Sequence, residues 1–533
     1  MFNKWAKYIF LFFLFTIIIM ASVGCRRGLD TEKSLTYNLG ADPKIIDPAL
    51  SMGEKGANVI AANFEGLMKL DKNSKAIPGI ALSYTKDSDV KYTFKLRDAK
   101  WSDGKPVTAY DFEYAWKRVL NPDTQSKCAY ELYCIKNAEG YNNKTCDASS
   151  VGVLAIDEKT LEVVLECPTA YFLEALSSPI YMPVREDIIN EHNGNWAKNS
   201  LTYIGNGPFK MVLWRANDSI EFVKNENYYD KDNVRLNKLV FKMVEDPEIY
   251  FAKWEEGDLD IIESPPASEI PKLKGENSLA KSPYLGVYFY TFNNNKKPLD
   301  DKRVRKALNY AIDRTAIINS VLKNESSPAI AFIPTGIPDA NINADFRESG
   351  GSFFKPEGQL DEARKLLSEA GYPNGEGFPA VTLIYNNSGI HKDIAQAIQL
   401  MWQRNLNINI SLKAVDLAGL QNIKDKGDYD IIRQGWIGDY IDPMTFFDYI
   451  KSGELKYNNN LLNELIDDAK VELDPIKRMA ILHSAEKALM DDMLVMPIFS
   501  YTNTMVIKPE VKEVFKSPLG VVYFNNAYIA DNK

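Results

Sequence analysis

In the second half of this chain the apolar residues switch repeatedly between two periods, and that alternation restricts the fold more than any other feature. Val304, Ala307, Leu308, Ala311 and Ile312 recur at three- and four-residue spacing, as do Ile394, Ala397, Ile398, Met401 and Trp402; this is the signature of a helix with one apolar face. Asp474 and Pro475 supply an N-cap and a first-turn proline ahead of Ile476, Met479, Ala480 and His483. Between these helices lie short strand-like runs at 381–385, 409–413 and 496–500. Helices interleaved with strands predict an α/β architecture. The run 284–292 alternates too, with Tyr288, Tyr290 and Phe292 on one face. Five aromatics in nine residues suit core packing in a two-sided sheet at least as well as ligand contact.

The first half predicts strands at 34–39, 161–165 and 220–223. A further strand at 91–97 places Tyr92, Phe94 and Leu96 on one face. A helix is expected over 58–67 with Gly66 as its stop, and another from Thr108 or Asp111 to Arg118. Gly205-Asn-Gly-Pro208 reads as a turn and a crossing between lobes. With 533 residues there is core for about three domains. The net charge of -9 disfavours a nucleic-acid partner, which requires a basic face.

Residues 1–25 stand apart. Lys4 and Lys7 precede an apolar run at 8–20, short for a membrane span, and the small residues 21–24 lead to Cys25. These are the parts of a secretory signal. A Cys at that point is similar to a bacterial lipobox, in which the thiol is lipidated and becomes the mature N-terminus; Ser22 stands where that pattern usually has Leu. The alternative is an uncleaved anchor. Either places the remainder outside the cytoplasm, at the outer face of the cell membrane or in a periplasm, and two acyl chains on Cys25 suffice for stable anchoring. Residues 26–33 form a polar tether. Cys128, Cys134, Cys146 and Cys167 could pair in three ways or stay free. With three His and no CxxC spacing, no metal site is expected, nor any cofactor.

The stretch 428–443 carries the chemistry. Ile431 and Ile432 begin a strand that Gly435 and Gly438 are expected to break. Arg433 and Asp439, opposite in sign, flank Trp436. A guanidinium, a carboxylate and an aromatic face on a glycine-hinged loop suit a ligand bearing both charges; a solvated surface turn with Trp436 in the core is the alternative. No GxSxG elbow, Walker A loop, HExxH or EF-hand loop is present. No nucleophile stands beside a candidate partner.

Phe64-Glu-Gly-Leu67, Tyr92-Thr-Phe-Lys-Leu-Arg97, the segment 101–112 opening Trp-Ser-Asp-Gly, and Asn206-Gly-Pro-Phe209 together resemble the family 5 extracellular solute-binding proteins. Asn225-Glu-Asn-Tyr-Tyr229, the segment 304–314, the segment 363–371 and Gly435-Trp436 continue the match in order. Within that family the resemblance is greatest to the oligopeptide-binding branch of peptide ABC importers. It implies a two-lobed clamp of the type II periplasmic-binding-protein kind, with mixed sheets flanked by helices and an extra inserted domain. Domain I would comprise 34–64, 203–285 and 503–533, domain II the insertion 65–202, and domain III 286–502.

The resemblance also implies roles. Asp439 would grip the peptide α-amine; Arg433, His391 and Lys424 would meet its carboxylate. Gly435, Trp436, Tyr501 and Asn386 would supply further contacts. Leu417 stands where the family has a pocket-lining Trp, and Ala61 replaces an Arg, so side-chain preference is left open. The implied function is capture of oligopeptides by a membrane-anchored monomer that passes them to an ABC permease. The same clamp would serve a dipeptide, a murein or signalling peptide, or, with less support from these residues, nickel, haem or an oligosaccharide. A secreted peptide hydrolase is the alternative from another class.

Overall fold

The computed structural model describes residues 33–192, 194–341, 344–454 and 459–530. The signal segment, Cys25 and the tether up to residue 32 lie outside the described residues. A mixed sheet of eleven strands runs through both lobes. Its middle is a pair of long antiparallel strands, Leu279–Phe292 and Val495–Ile507. Residues 279–283 pair with 502–506 in one lobe, and residues 287–291 pair with 495–500 in the other. Between the two registers Tyr284, Leu285 and Gly286 face Tyr501 alone. Leu285 leaves the ladder there: its N–H donates to the Pro518 carbonyl (2.7 Å), and its own carbonyl accepts from Gly438 (2.7 Å). Extra residues on one strand bend and twist a pair, so the ladder bends at this point.

Outward from the pair on one side lie Ile261–Glu263, Ser34–Asn38, Lys238–Lys242, Ser219–Lys224 and Phe209–Arg215; on the other lie Ile431–Ile437, Thr382–Asn386 and Ser411–Val415. Each lobe has its own apolar core. In the first, Leu35, Phe222 and Phe241 pack with Trp101, Trp116 and Phe172, so the residues expected as domains I and II share one continuous interior. This half also carries a separate sheet in the order Ala81–Ser88, Lys91–Leu96, Thr160–Val164, Val153–Asp157. The second core gathers Val287, Leu308, Trp402, Ile431 and Leu482.

Local signals held where no long-range contact competed with them. Thr108 and Asp111 form a reciprocal capping box on the helix Ala109–Leu120, and Asp474 caps Pro475–Asp492 through the N–H groups of Ile476 and Lys477. Three expectations change. The helix Glu54–Asn63 ends before Gly66. Phe64 is drawn out of it, edge-on to Trp101, Trp196 and Tyr203, while Asn206 accepts from the Glu65 N–H (2.9 Å). The strand Ile431–Ile437 runs through Gly435 without a break. The turn at 205–208 is pressed into the first core, where a Cβ on Gly205 would lie 1.9 Å from the Asn63 carbonyl oxygen; the long strands make the crossing between lobes. Of the alternatives left open for Cys128, Cys134, Cys146 and Cys167, the unpaired one holds, and all four are free thiols.

The lobes touch beside the stretch that follows Ile437. The rings of Tyr171 and Tyr440 stack 4.2 Å apart and 4° from parallel.

Candidate functional site

Ile431–Ile437 borders Leu279–Phe292 along its whole length but meets Thr382–Asn386 only at Ile431 and Ile432. Two hydrogen bonds set its phase: Asn293 N–H to the Asp430 carbonyl (2.8 Å) and Gly438 N–H to the Leu285 carbonyl (2.7 Å). Main-chain groups alternate along a strand, so the even-numbered residues face Leu279–Phe292. Those of Arg433, Gly435 and Ile437 point to the open edge, which can accept one more strand. Gly435 has a steric reason to lack a side chain: a Cβ there would lie 3.3 Å from both the Arg433 Nη2 and the Tyr501 hydroxyl.

A cationic, hydroxyl-rich group forms at one end of this edge. The Arg433 guanidinium lies 4.7 Å from the Tyr288 ring centre and within weak hydrogen-bond reach of Asn386 Oδ1 (3.5 Å), and its charge acts on the Tyr288 and Tyr501 phenols. Tyr288 reaches His391 Nδ1 (3.2 Å) and the Tyr290 hydroxyl (3.5 Å). Among the described residues no carboxylate pairs with Arg433, and its buried Nε has no partner. Burial first, and then the Arg433 charge, hold His391 down at about 4, so this imidazole is neutral at physiological pH. Burial pushes the Tyr288 phenol up to about 12. The end is thus singly positive, lined with hydroxyls and open to an anion.

The other end is acidic. Asp439 follows Gly438, and its N–H donates to Thr445 Oγ1 (3.0 Å). Its carboxyl is half-buried by surface area yet set deep among protein atoms, and this burial pushes it up to about 7; the Tyr130 hydroxyl of the first lobe opposes the rise and Asp448 adds to it. Tyr130 belongs to the first lobe, on the short turn Ala129–Leu132 that also presents Glu131. Burial and the Asp439 charge hold Glu131 well above the usual carboxylate range. Arg433 and Asp439 are six positions apart, with the strand ending at Ile437, a separation of up to roughly 20 Å and room for a peptide of a few residues.

The expected residues are distributed as follows. Arg433, His391, Asn386, Tyr501 and Gly435 come together at the first end, and Asp439 stands at the second. Trp436 is half-buried on the opposite face, packed on Tyr449 (4.7 Å) at the second core. Lys424 lies in the last turn of the helix Leu417–Lys426 and takes no part in the contacts just described. Leu417, at the start of that helix, is exposed. Tyr288 and Tyr290 were visible in the sequence as an aromatic alternation without an assigned role. Tyr130 and Glu131 carry no local signal, since they meet Asp439 only across the lobes. Among the described residues no group of three or more His, Cys, Asp or Glu is placed to hold a metal ion.

Residues 75–458 match the bacterial extracellular solute-binding proteins, family 5. The chain is 36% identical over 513 residues to the oligopeptide-binding protein OppA of Bacillus subtilis, covering 93% of each. The solved Escherichia coli murein tripeptide binding protein MppA superposes with a TM-score of 0.77 at 31% identity, over 95% of this chain and 100% of that one. Listeria monocytogenes OppA bound to peptide gives 0.76 at 27% identity, over 94% and 100%. The unpaired strand edge with opposite charges at its two ends therefore sits in a protein that belongs to the bacterial extracellular solute-binding proteins of family 5.

Proposed function

We propose that this protein captures oligopeptides and hands them to an ABC permease, and that it performs no catalysis. One observation carries the reading: an open strand edge runs from the Arg433 guanidinium to the Asp439 carboxylate, neither of which has an ion-pair partner among the described residues. A zwitterionic peptide in extended form satisfies all three features. Its backbone pairs with Arg433, Gly435 and Ile437, its carboxylate meets Arg433 with Asn386, Tyr501 and His391, and its α-amine meets Asp439. Because main-chain and terminal groups provide the grip, side-chain preference is loose along most of the ligand. Lobe closure brings Tyr130 and Glu131 to the amine and excludes water, which strengthens both charged contacts.

The three-domain partition set out above, with hinge strands Leu279–Phe292 and Val495–Ile507, belongs to the same proposal. So do a monomeric state, lipidation at Cys25 and placement outside the cytoplasm. No described helix is long and apolar enough to cross a membrane. Lys424 enters only as a carboxylate contact for longer peptides.

Two experiments test the reading. Mass spectrometry of material released on denaturing natively purified protein should find a mixture of short peptides; a sugar or metal complex in their place would refute it. Calorimetric titration against pH should give a bell. Asp439 must be ionised to hold an ammonium, so affinity falls about ten-fold per unit below about 7. It falls again above about 8, where the peptide amine loses its proton. A flat profile between pH 5 and 7 would remove Asp439 from the amine site.

A further inference from the structure

We propose that Tyr171 and Tyr440 form a latch between the lobes, which slows the release of every bound peptide alike without touching the ligand. This rests on the peptide reading above and adds the element that regulates how long a ligand is retained. Tyr171 belongs to the first lobe and Tyr440 to the second, and their rings lie face to face, 4.2 Å apart and 4° from parallel. Tyr171 packs against both apolar cores. The Arg478 guanidinium, also of the second lobe, lies 5.7 Å from the same ring centre, within reach of a cation–π attraction.

Each half of the contact is fixed by its own lobe. Tyr171 stands at the N-cap of the helix Phe172–Ala175, and Phe172 is buried in the first core beside Tyr92 (5.1 Å). In the second lobe the Tyr440 hydroxyl donates to Asp448 (2.5 Å), which pairs with Lys470 (2.9 Å). Two residues on, Asp442 accepts two hydrogen bonds from the buried Arg478 guanidinium (2.7 and 2.8 Å). Neither ring has much freedom left to lose when the two meet, so the stacking is little offset by ordering. Beside the stack the lobes part around a cavity of about 740 Å³, lined by Lys75 and Glu174 on one side and by Asp339 and Arg478 on the other. Attraction between the lobes here is therefore local to the stack. Opening about the proposed hinge strands Leu279–Phe292 and Val495–Ile507 parts the rings and loses an aromatic contact worth more than its buried surface alone. Apparent affinity scales with the fraction of molecules in the ligand-holding conformation, so the latch tightens binding without reading the peptide.

The test is calorimetric titration and stopped-flow release of Ala-Ala-Ala, Lys-Ala-Ala and Glu-Ala-Ala, for wild type, Tyr171→Ala, Tyr171→Leu and Tyr171→Phe. Tyr171→Ala should weaken all three peptides by the same factor, about ten-fold, almost wholly through a faster off-rate. Tyr171→Phe keeps the ring and should stay close to wild type. If Tyr171→Ala does not fold, Tyr171→Leu decides, because it fills much of the same space and lacks the ring; the same uniform acceleration of release is expected. Unchanged off-rates in the deciding variant overturn the latch. So does a loss that differs among the three peptides, which would place Tyr171 on the ligand; the peptide reading survives either result. Binding of none of the three by wild type, with no peptide recovered from native protein, overturns the peptide reading and the latch with it.

Discussion

Asp439→Asn is expected to lose peptide affinity by 10²-fold or more while raising the melting temperature of the ligand-free protein above neutral pH. The first effect follows from the amine contact: removing one partner of an enclosed ion pair costs roughly 3–5 kcal/mol. The second follows from the raised carboxyl. A group that holds its proton more tightly when folded stabilises the fold below the ordinary carboxylate range, and that contribution is lost as pH rises to about 7. An Asn side chain never ionises, so the variant escapes this loss, and the two melting curves should coincide at about pH 4 and below and separate progressively, by a few degrees, as pH rises to about 8. An N-acetylated peptide should reproduce the binding loss on wild type, because it deletes the same pair from the other side. Unchanged affinity for acetylated peptide would show that the amine lies elsewhere, whatever the variant does.

Arg433→Gln is expected to weaken free-acid peptides by roughly 30-fold or more and to leave C-terminally amidated peptides nearly unaffected. Arg433 has no carboxylate partner among the described residues, so its charge is available to the ligand and stabilises no ion pair of the fold. The substitution should also be felt at His391. Burial and the guanidinium together hold that imidazole at about 4; with Arg433 gone, the burial contribution remains and the pKa should rise only part of the way to 6.5, readable by NMR of the ring protons. A His391 that stays at about 4 would mean the guanidinium does not act on it. Equal losses for free-acid and amidated peptides would mean that Arg433 supports the strand edge and does not hold a carboxylate.

Much of the fold could be read from periodicity and caps. The helices Lys302–Tyr310, Gly389–Leu406 and Pro475–Asp492 lie where the three-four spacing places them, and the strand Lys91–Leu96 buries Tyr92, Phe94 and Leu96 as its alternation requires. Local reasoning failed where a distant partner outweighed a local preference. Gly66 is a competent helix stop, but the aromatic cluster around Phe64 ends the helix earlier. Gly435 is a competent strand breaker, but its main chain is held by Leu279–Phe292, and the space beside it is occupied by Arg433 and Tyr501.

The candidate site divides in the same way. Arg433, Gly435 and Asp439 are six residues apart at most, so their order along one extended segment, and hence the opposite charges of its two ends, was determined by the sequence alone. Which groups surround those charges was decided by the tertiary structure. His391 reaches Arg433 by way of Tyr288, and Tyr130 and Glu131 face Asp439 across some three hundred residues and two lobes. Period and propensity act over a few residues, whereas desolvation and Coulomb interaction depend on every atom within several ångströms, however far away in the chain. That is why a carboxylate of ordinary appearance in the sequence is pushed up to about 7 once the fold buries it.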